Sequence, residues 1–242
     1  TKLHNAKYRF GFTGTLDGSK THKWVLEGLF GDCEQVTKTD TLIKSGYLSK
    51  FRIKVLLCKH PAQHFETYHD EIEYLINHKG RNNLIKNLVK DLTGNTLVLF
   101  NYVEKHGDPL YDLINSSIEP TRKLFFVHGG TDVEDREEVR LLTETENDAV
   151  IIASYGTFST GINIKRLHNI IFASPSKSRI RNLQSIGRVL RKGEGKDMAT
   201  LYDIADDIGG QNYTLRHLND RVNIYNDENF KYEVIKVNLK AS

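Results

Sequence analysis

The chain has 242 residues, of which 38% are hydrophobic and 27% charged, and a formal net charge of +3. That length can bury a sizeable core and suits one large domain or one domain plus part of another, and the composition excludes disordered, fibrous and disulfide-stapled classes. The longest apolar runs, Ala149–Ala153 and Leu97–Phe100, are too short to cross a membrane, no secretory leader pattern is visible, and Cys33 and Cys58 make no metal-ligand spacing, so a cytoplasmic protein with no membrane partner and no protein-bound metal is expected.

Taken in chain order, β-rich apolar runs alternate with helical periodicity, the pattern of a parallel sheet covered by helices. Strands are predicted at Lys7–Phe12, Phe51–Cys58, Thr96–Phe100, Lys123–Val127, Ala149–Ala153, Asn169–Ala173, Ala199–Asp203 and Tyr232–Val237. Helices are predicted at His22–Phe30, Phe65–Asn77, Asn82–Leu92, Pro109–Ile114, Val133–Thr143, Arg179–Leu190 and Leu215–Tyr225. The polar stretch Thr37–Lys50 separates the first strand and helix from the rest. It divides the chain into 1–50, the tail of a preceding domain with its linker, and 51–242, a complete α/β domain. The helix pair Phe65–Leu92 is read as a lid or a packing element. The chain begins at Thr1 and its single methionine is Met198, so it is expected to be a piece of a longer protein.

Four segments carry candidate chemistry. Gly14–Thr21 matches the phosphate-loop pattern except at Ser19, where the second glycine belongs; a side chain there obstructs the approach of a phosphate to the backbone amides. A stand-alone phosphate-loop enzyme using Lys20 is the weaker reading. The stretch His128, Gly129, Gly130, with Arg136 on the next helix, is either a backbone clamp on phosphate or, for His128, a plain strand-to-helix turn. Ser154–Asn163 follows an apolar strand, where open α/β sheets place ligands, and its hydroxyls and glycine could bond a sugar-phosphate backbone without reading sequence. The alternative is a flexible surface turn.

The fourth segment is Gln184–Arg191. At about 100° per residue, Gln184, Arg188 and Arg191 fall within roughly 60° on one helix face, opposite Leu183, Ile186 and Leu190. Two rigid guanidinium forks on a packed helix suit a polyphosphate; the alternative is a solvated basic face with Gly187 at a close helix contact. From Lys177 to Lys196 seven basic residues face the single acid Glu194, a local +6 that points to phosphates as partners.

In order, Thr13-Gly14-Thr15, Thr96–Tyr102, Ser154–Asn163 and Gln184–Arg191 resemble motifs III, IV, V and VI of superfamily 2 helicases. Ser45–Leu48 leading into Phe51–Leu57, and Asn101–Leu113, resemble the junction and second domain of the branch that includes phage and repair helicases. The resemblance implies two RecA-like domains, ATP with Mg2+ in the cleft between them and DNA across the top. This chain would be the end of the first domain and the whole of the second. Thr13, Gly14 and Thr15 would couple nucleotide state to closure. Gln184, Gly187, Arg188, Arg191 and Asn163 would face ATP, with Arg191 and then Arg188 as the catalytic arginine finger. Ser154, Ser159, Thr160 and Gly161, with Gly129 and Arg136, would meet nucleic acid. Relatives carry an aspartate where this chain has Asn163. The phosphate loop and metal-binding acidic motif would lie in an upstream RecA-like domain that also holds most of the Mg2+, and the fragment alone should be inactive. The implied role is an ATP-dependent helicase or translocase acting on branched or forked DNA, or RNA–DNA hybrids, in recombination and repair. The alternative is a nucleic-acid-binding module with the same fold and no ATP use.

Overall fold

The structure, a computed structural model, describes residues 6–13, 16, 19–160, 164–176, 178–193 and 195–239, without the side chains of residues 159, 160, 179 and 180. Its centre is a seven-stranded, all-parallel sheet. The strands are β1 (Lys50–Lys59), β2 (Thr96–Phe100), β3 (Leu124–Val127), β4 (Val150–Ser154), β5 (Asn169–Phe172), β6 (Met198–Asp207) and β7 (Tyr232–Asn238), in spatial order β3-β4-β2-β5-β6-β1-β7. The fold is the expected helix-covered α/β sheet.

Burial follows strand alternation. β2, β4 and β5 are buried along their whole length, as parallel strands covered on both faces must be. Leu97 and Leu99 point to one core with Ile151, Ile170 and Leu201; Val98 and Phe100 point to the other with Ile152, Ile171 and Ile204. The first core is covered by Ile186, Val189 and Leu190 near the end of α8 (Arg179–Val189) and by Leu218 and Tyr225 of α9 (Tyr213–Asp227). The second is covered by Ile85 and Val89 of α4 (Lys79–Asp91) and by Leu110 and Ile114 of α5 (Asp108–Asn115). The helix pair of α3 (Tyr68–Asn77) and α4 is therefore part of the packing: buried Glu71 of α3 accepts from the backbone N–H groups of Tyr213 and Thr214 and so caps α9.

Three expectations need correction. The alternation of Tyr8, Phe10 and Phe12 predicted a first strand, but residues 6–13 form none. These aromatic side chains are 71%, 77% and 95% exposed, and a strand without a neighbour to bond has nothing to hold it extended. The Thr37–Lys50 stretch holds a short helix, α2 (Thr39–Lys44), and Ile43 and Leu48 pack against the first core. The loop expected after β4 is a helix over Tyr155–Thr160 (α7), because Tyr155 and Phe158, three apart, are both buried and anchor one face of it. The remaining helices, α1 (Lys20–Phe30) and α6 (Val133–Thr145), stand where periodicity put them. Among the described residues no helix is long and apolar enough to cross a membrane.

Candidate nucleotide cleft and nucleic-acid face

Helix α8 begins at Ser178, whose side chain accepts from the Arg181 backbone N–H at 3.3 Å. Its inner face is fixed by Ile186, Val189 and Leu190, at most 1% exposed, so Gln184 and Gly187 are left facing outward and Arg188 half so; Arg191 lies two residues past the helix, where the sequence predicted it on the helix face, and is exposed in a bridge to Leu48. These four line a cleft of about 370 Å³ whose other wall is Thr13, Thr39 and Glu228. Gly187 is exposed, and an added Cβ would meet nothing within 4 Å. It therefore makes no close helix contact; it leaves the helix surface open to a ligand.

Arg188 lies over the Phe158 ring, its guanidinium carbon 5.6 Å from the centroid. Its pKa is lowered first by burial and then by the neighbouring charge of Arg191. Two cations held close by a packed helix favour an anion between them, and a polyphosphate supplies several oxygens for their donor forks. The cleft's carboxylate, Glu228, already accepts from Thr39 Oγ1 at 2.9 Å. That donor set fits phosphate rather than a divalent cation. Among the described residues there is no group of three or more His, Cys, Asp or Glu side chains able to hold a metal.

The hydroxyl residues occupy a different place, the carboxyl edge of the sheet. Ser154 ends β4, is 9% exposed, lies 2.9 Å from Thr157 Oγ1 and accepts from the Thr157 N–H at 3.4 Å, so its hydroxyl caps α7. Next to it the connections after β2 and β5 are tied together: Ser174 Oγ accepts from the Asn101 N–H at 3.2 Å and lies 3.1 Å from His106 Nδ1, and Tyr155 Oη donates to the Ser174 carbonyl at 3.3 Å. Gly129 is exposed after β3, and its carbonyl accepts from Arg136 Nη2 at 3.1 Å. His128 behaves as a turn residue: its ring accepts from the Gly130 N–H and its own N–H donates to Thr131. Ser159 and Thr160 lie on α7 with side chains outside the described residues; Gly14, Thr15, Gly161 and Asn163 lie outside them altogether.

Ser19 caps α1 by accepting from the His22 N–H at 3.2 Å, and Lys20 is exposed at the helix start. A second cleft of about 410 Å³, near Lys90 and Arg122, is a structural joint. There Arg122 donates to the Val89 and Leu92 carbonyls at 2.7 and 2.9 Å and pairs with Asp148. Thr39 and Glu228 carry no motif that sequence reasoning could have used to place them at the arginine cleft, and Phe158, inside the Ser154–Asn163 segment, gave no sign that its ring would lie under Arg188.

Residues 80–193 match the family described as the helicase conserved C-terminal domain. The chain is 34% identical over 258 aligned positions to the ATP-dependent DNA helicase UvsW of Enterobacteria phage T4, covering 98% of this chain and 51% of that protein. The crystal structure of T4 UvsW superposes with a TM-score of 0.68 at 32% identity, over 91% of this chain and 46% of that one. The chain thus spans about half the length of the relatives it matches. A fragment of a type I restriction enzyme HsdR subunit from Vibrio vulnificus (TM-score 0.67, 15% identity, 93% of this chain and 43% of that one) shares the fold. So does a DEAD box protein from Methanococcus jannaschii (TM-score 0.52, 16% identity, 93% and 50%).

Proposed function

The chain belongs to the superfamily 2 helicases and corresponds to their C-terminal half, and from that footing we propose that it is the second motor domain of an ATP-dependent DNA helicase or translocase. Residues 1–50 are the end of a first RecA-like domain with its linker, and 51–242 are the second domain. The exposed Tyr8, Phe10 and Phe12, with Trp24 on α1, support this division, since they are the apolar surface a missing first-domain sheet would cover. The substrates are branched or forked DNA and RNA–DNA hybrids, and the setting is recombination and repair.

The observation that carries the reading is the cleft wall of Gln184, Gly187 and Arg188 on a helix whose other side is core, with Arg191 beside them just past the helix end. ATP supplies the phosphoryl group to be transferred, and Mg2+ is held mainly by the upstream domain. As the domains close, Arg191 and Arg188 stabilise charge developing on the terminal phosphates, Gln184 bonds a phosphate oxygen or the attacking water, and Gly187 admits the nucleotide. Thr13, Gly14 and Thr15 transmit nucleotide state, and Asn163 meets the nucleotide as an amide rather than a carboxylate. A finger of this kind contributes roughly a thousandfold to a hundred-thousandfold in turnover, about 4–7 kcal/mol of barrier. Ser159, Thr160 and Gly161, with Gly129 and Arg136, bond the nucleic-acid backbone at the carboxyl edge; Ser154 shapes that edge by capping α7.

The test is ATP hydrolysis by the full-length protein carrying this sequence, with and without branched DNA, comparing wild type with Arg191→Ala while following DNA binding. Loss of stimulated hydrolysis with retained binding supports the motor. Hydrolysis unchanged, or DNA affinity lost in step with Arg179→Ala of the same basic segment, supports a binding module instead. This fragment alone is expected to hydrolyse ATP negligibly.

A further inference from the structure

The last carbonyls of α8 lie beyond the helix's own hydrogen-bond ladder, and a helix end of this kind needs donors and favours positive charge. The linker supplies some: the Ser49 N–H donates to the Leu190 carbonyl at 2.9 Å and Ser49 Oγ to that of Arg191 at 3.4 Å. The rest come from Lys196. Its side chain folds back into the protein, leaving the residue 4% exposed, and Nζ donates to the carbonyls of Val189, of Arg191 at 2.9 Å and of Lys165 at 3.3 Å. All three donors of the ammonium are used.

Lys165 belongs to neither α8 nor its turn; it lies on the connection from α7 to β5. Gly193 brings the two segments together. A Cβ at that position would stand 3.0 Å from the Lys165 carbonyl oxygen, and Gly193 also bridges to Lys196, whose N–H donates to its carbonyl at 3.2 Å. Burial pushes the Lys196 ammonium down to about 8, so it is still mainly charged at neutral pH. A solvated lysine would complement the helix end without that desolvation. What burial adds is a fixed point shared by two segments, one bearing Arg191 and one following the residues assigned to the nucleic-acid backbone.

We propose that Lys196 is a positioning residue for the arginine pair: by holding the backbones of Val189 and Arg191 to that of Lys165, it sets where the Arg191 guanidinium stands and makes it move with the α7–β5 connection. The inference rests on the reading that Arg191 faces nucleotide. Misplacing a catalytic group by about 1 Å costs on the order of a hundredfold.

The test uses DNA-stimulated ATP hydrolysis by the full-length protein with Lys196→Met, which keeps the apolar stem and removes the three donors. The expected result is a kcat about 10- to 100-fold lower, with the KM for ATP and the affinity for DNA within about twofold of wild type. A wild-type kcat in the folded variant, or a fall of kcat, ATP affinity and DNA affinity together, overturns the inference. If Lys196→Met does not fold, Gly193→Ala decides, because its Cβ presses on the Lys165 carbonyl while the lysine stays. A kcat lower by about threefold or more at unchanged KM supports the clamp, and a wild-type kcat overturns it. Arg191→Ala is assayed beside them. If it keeps wild-type hydrolysis, the nucleotide-facing reading itself fails; if it is inactive while Lys196→Met matches wild type, only the positioning role falls.

Discussion

Asp203→Asn removes the charge that balances a fully buried guanidinium. Asp203 and Arg221 are both 0% exposed, Arg221 Nε donates to Asp203 Oδ2 at 2.8 Å, and Tyr225 Oη donates to the same oxygen at 2.8 Å. Arg221 Nη2 lies 2.8 Å from Oδ1 but off the hydrogen-bond angle, so that contact counts as charge attraction only. A guanidinium stays protonated at any workable pH, so the buried cation remains when its partner is neutralised. Leaving it uncompensated costs about 3–5 kcal/mol. At a urea slope of about 3 kcal/mol/M, the unfolding midpoint falls by about 1–1.7 M. Arg221 also donates to the Ser176 carbonyl at 3.3 Å, beside Asn182 at 3.1 Å, so the loop leading into α8 loosens with it. Replacing both members, Asp203→Leu with Arg221→Met, recovers most of the loss, because an apolar pair needs no desolvation. The measurement is urea unfolding of the three forms followed by circular dichroism. A midpoint within about 0.3 M of wild type for Asp203→Asn would refute the argument that the buried charge needs its partner.

Burial lowers the His106 pKa to about 3, so the unfolded chain binds more protons than the folded one between about pH 3 and 6.5. Stability therefore rises with pH across that window and is lost as pH falls through it, by about 2 kcal/mol between pH 6.5 and 5; His106→Gln should flatten the pH dependence of the urea midpoint, and an unchanged slope would count against it. Gly107→Ala sets a Cβ 2.6 Å from the Phe100 ring, so about 1–3 kcal/mol of overpacking is expected in thermal or urea unfolding, and no shift would mean that Phe100 has room to move. Because the assigned nucleic-acid contacts are to the backbone, DNA affinity of the full-length protein should fall steeply and linearly on a log–log plot against salt, with little dependence on sequence; a flat salt plot would point away from phosphate contacts.

What could be read locally and what could not separate along one physical line. The sheet was legible because β2 and β4 are buried on both faces and so are uninterrupted apolar runs. The arginine face was legible in part: helical spacing places Gln184 and Arg188 together on α8, while Arg191, two residues past its end, reaches the same cleft from a bridge to Leu48. The end of β6 was not. The strand predicted at Ala199–Asp203 runs on to Asp207, where Asp206 is buried against Arg81 at 2.9 Å and His60 at 2.9 Å and Asp207 pairs with Lys59. Those partners lie more than a hundred residues away in sequence, so no local pattern marks the acids as interior. Lys196 failed to show for the same reason: it counts among the seven basic residues that point to phosphates, yet it is buried with the Val189, Arg191 and Lys165 carbonyls around it. The front segment fails the other way. Its alternation of Tyr8, Phe10 and Phe12 is a sound strand pattern, but a strand is completed by the strand it bonds, and among the described residues no strand pairs with residues 6–13. Supplying that neighbour, by joining the first motor domain proposed above, should bury these aromatics. Intrinsic fluorescence and hydrogen exchange over residues 6–30 would then differ between this chain and the full-length protein, and equal exchange in both would argue that the segment belongs to no sheet.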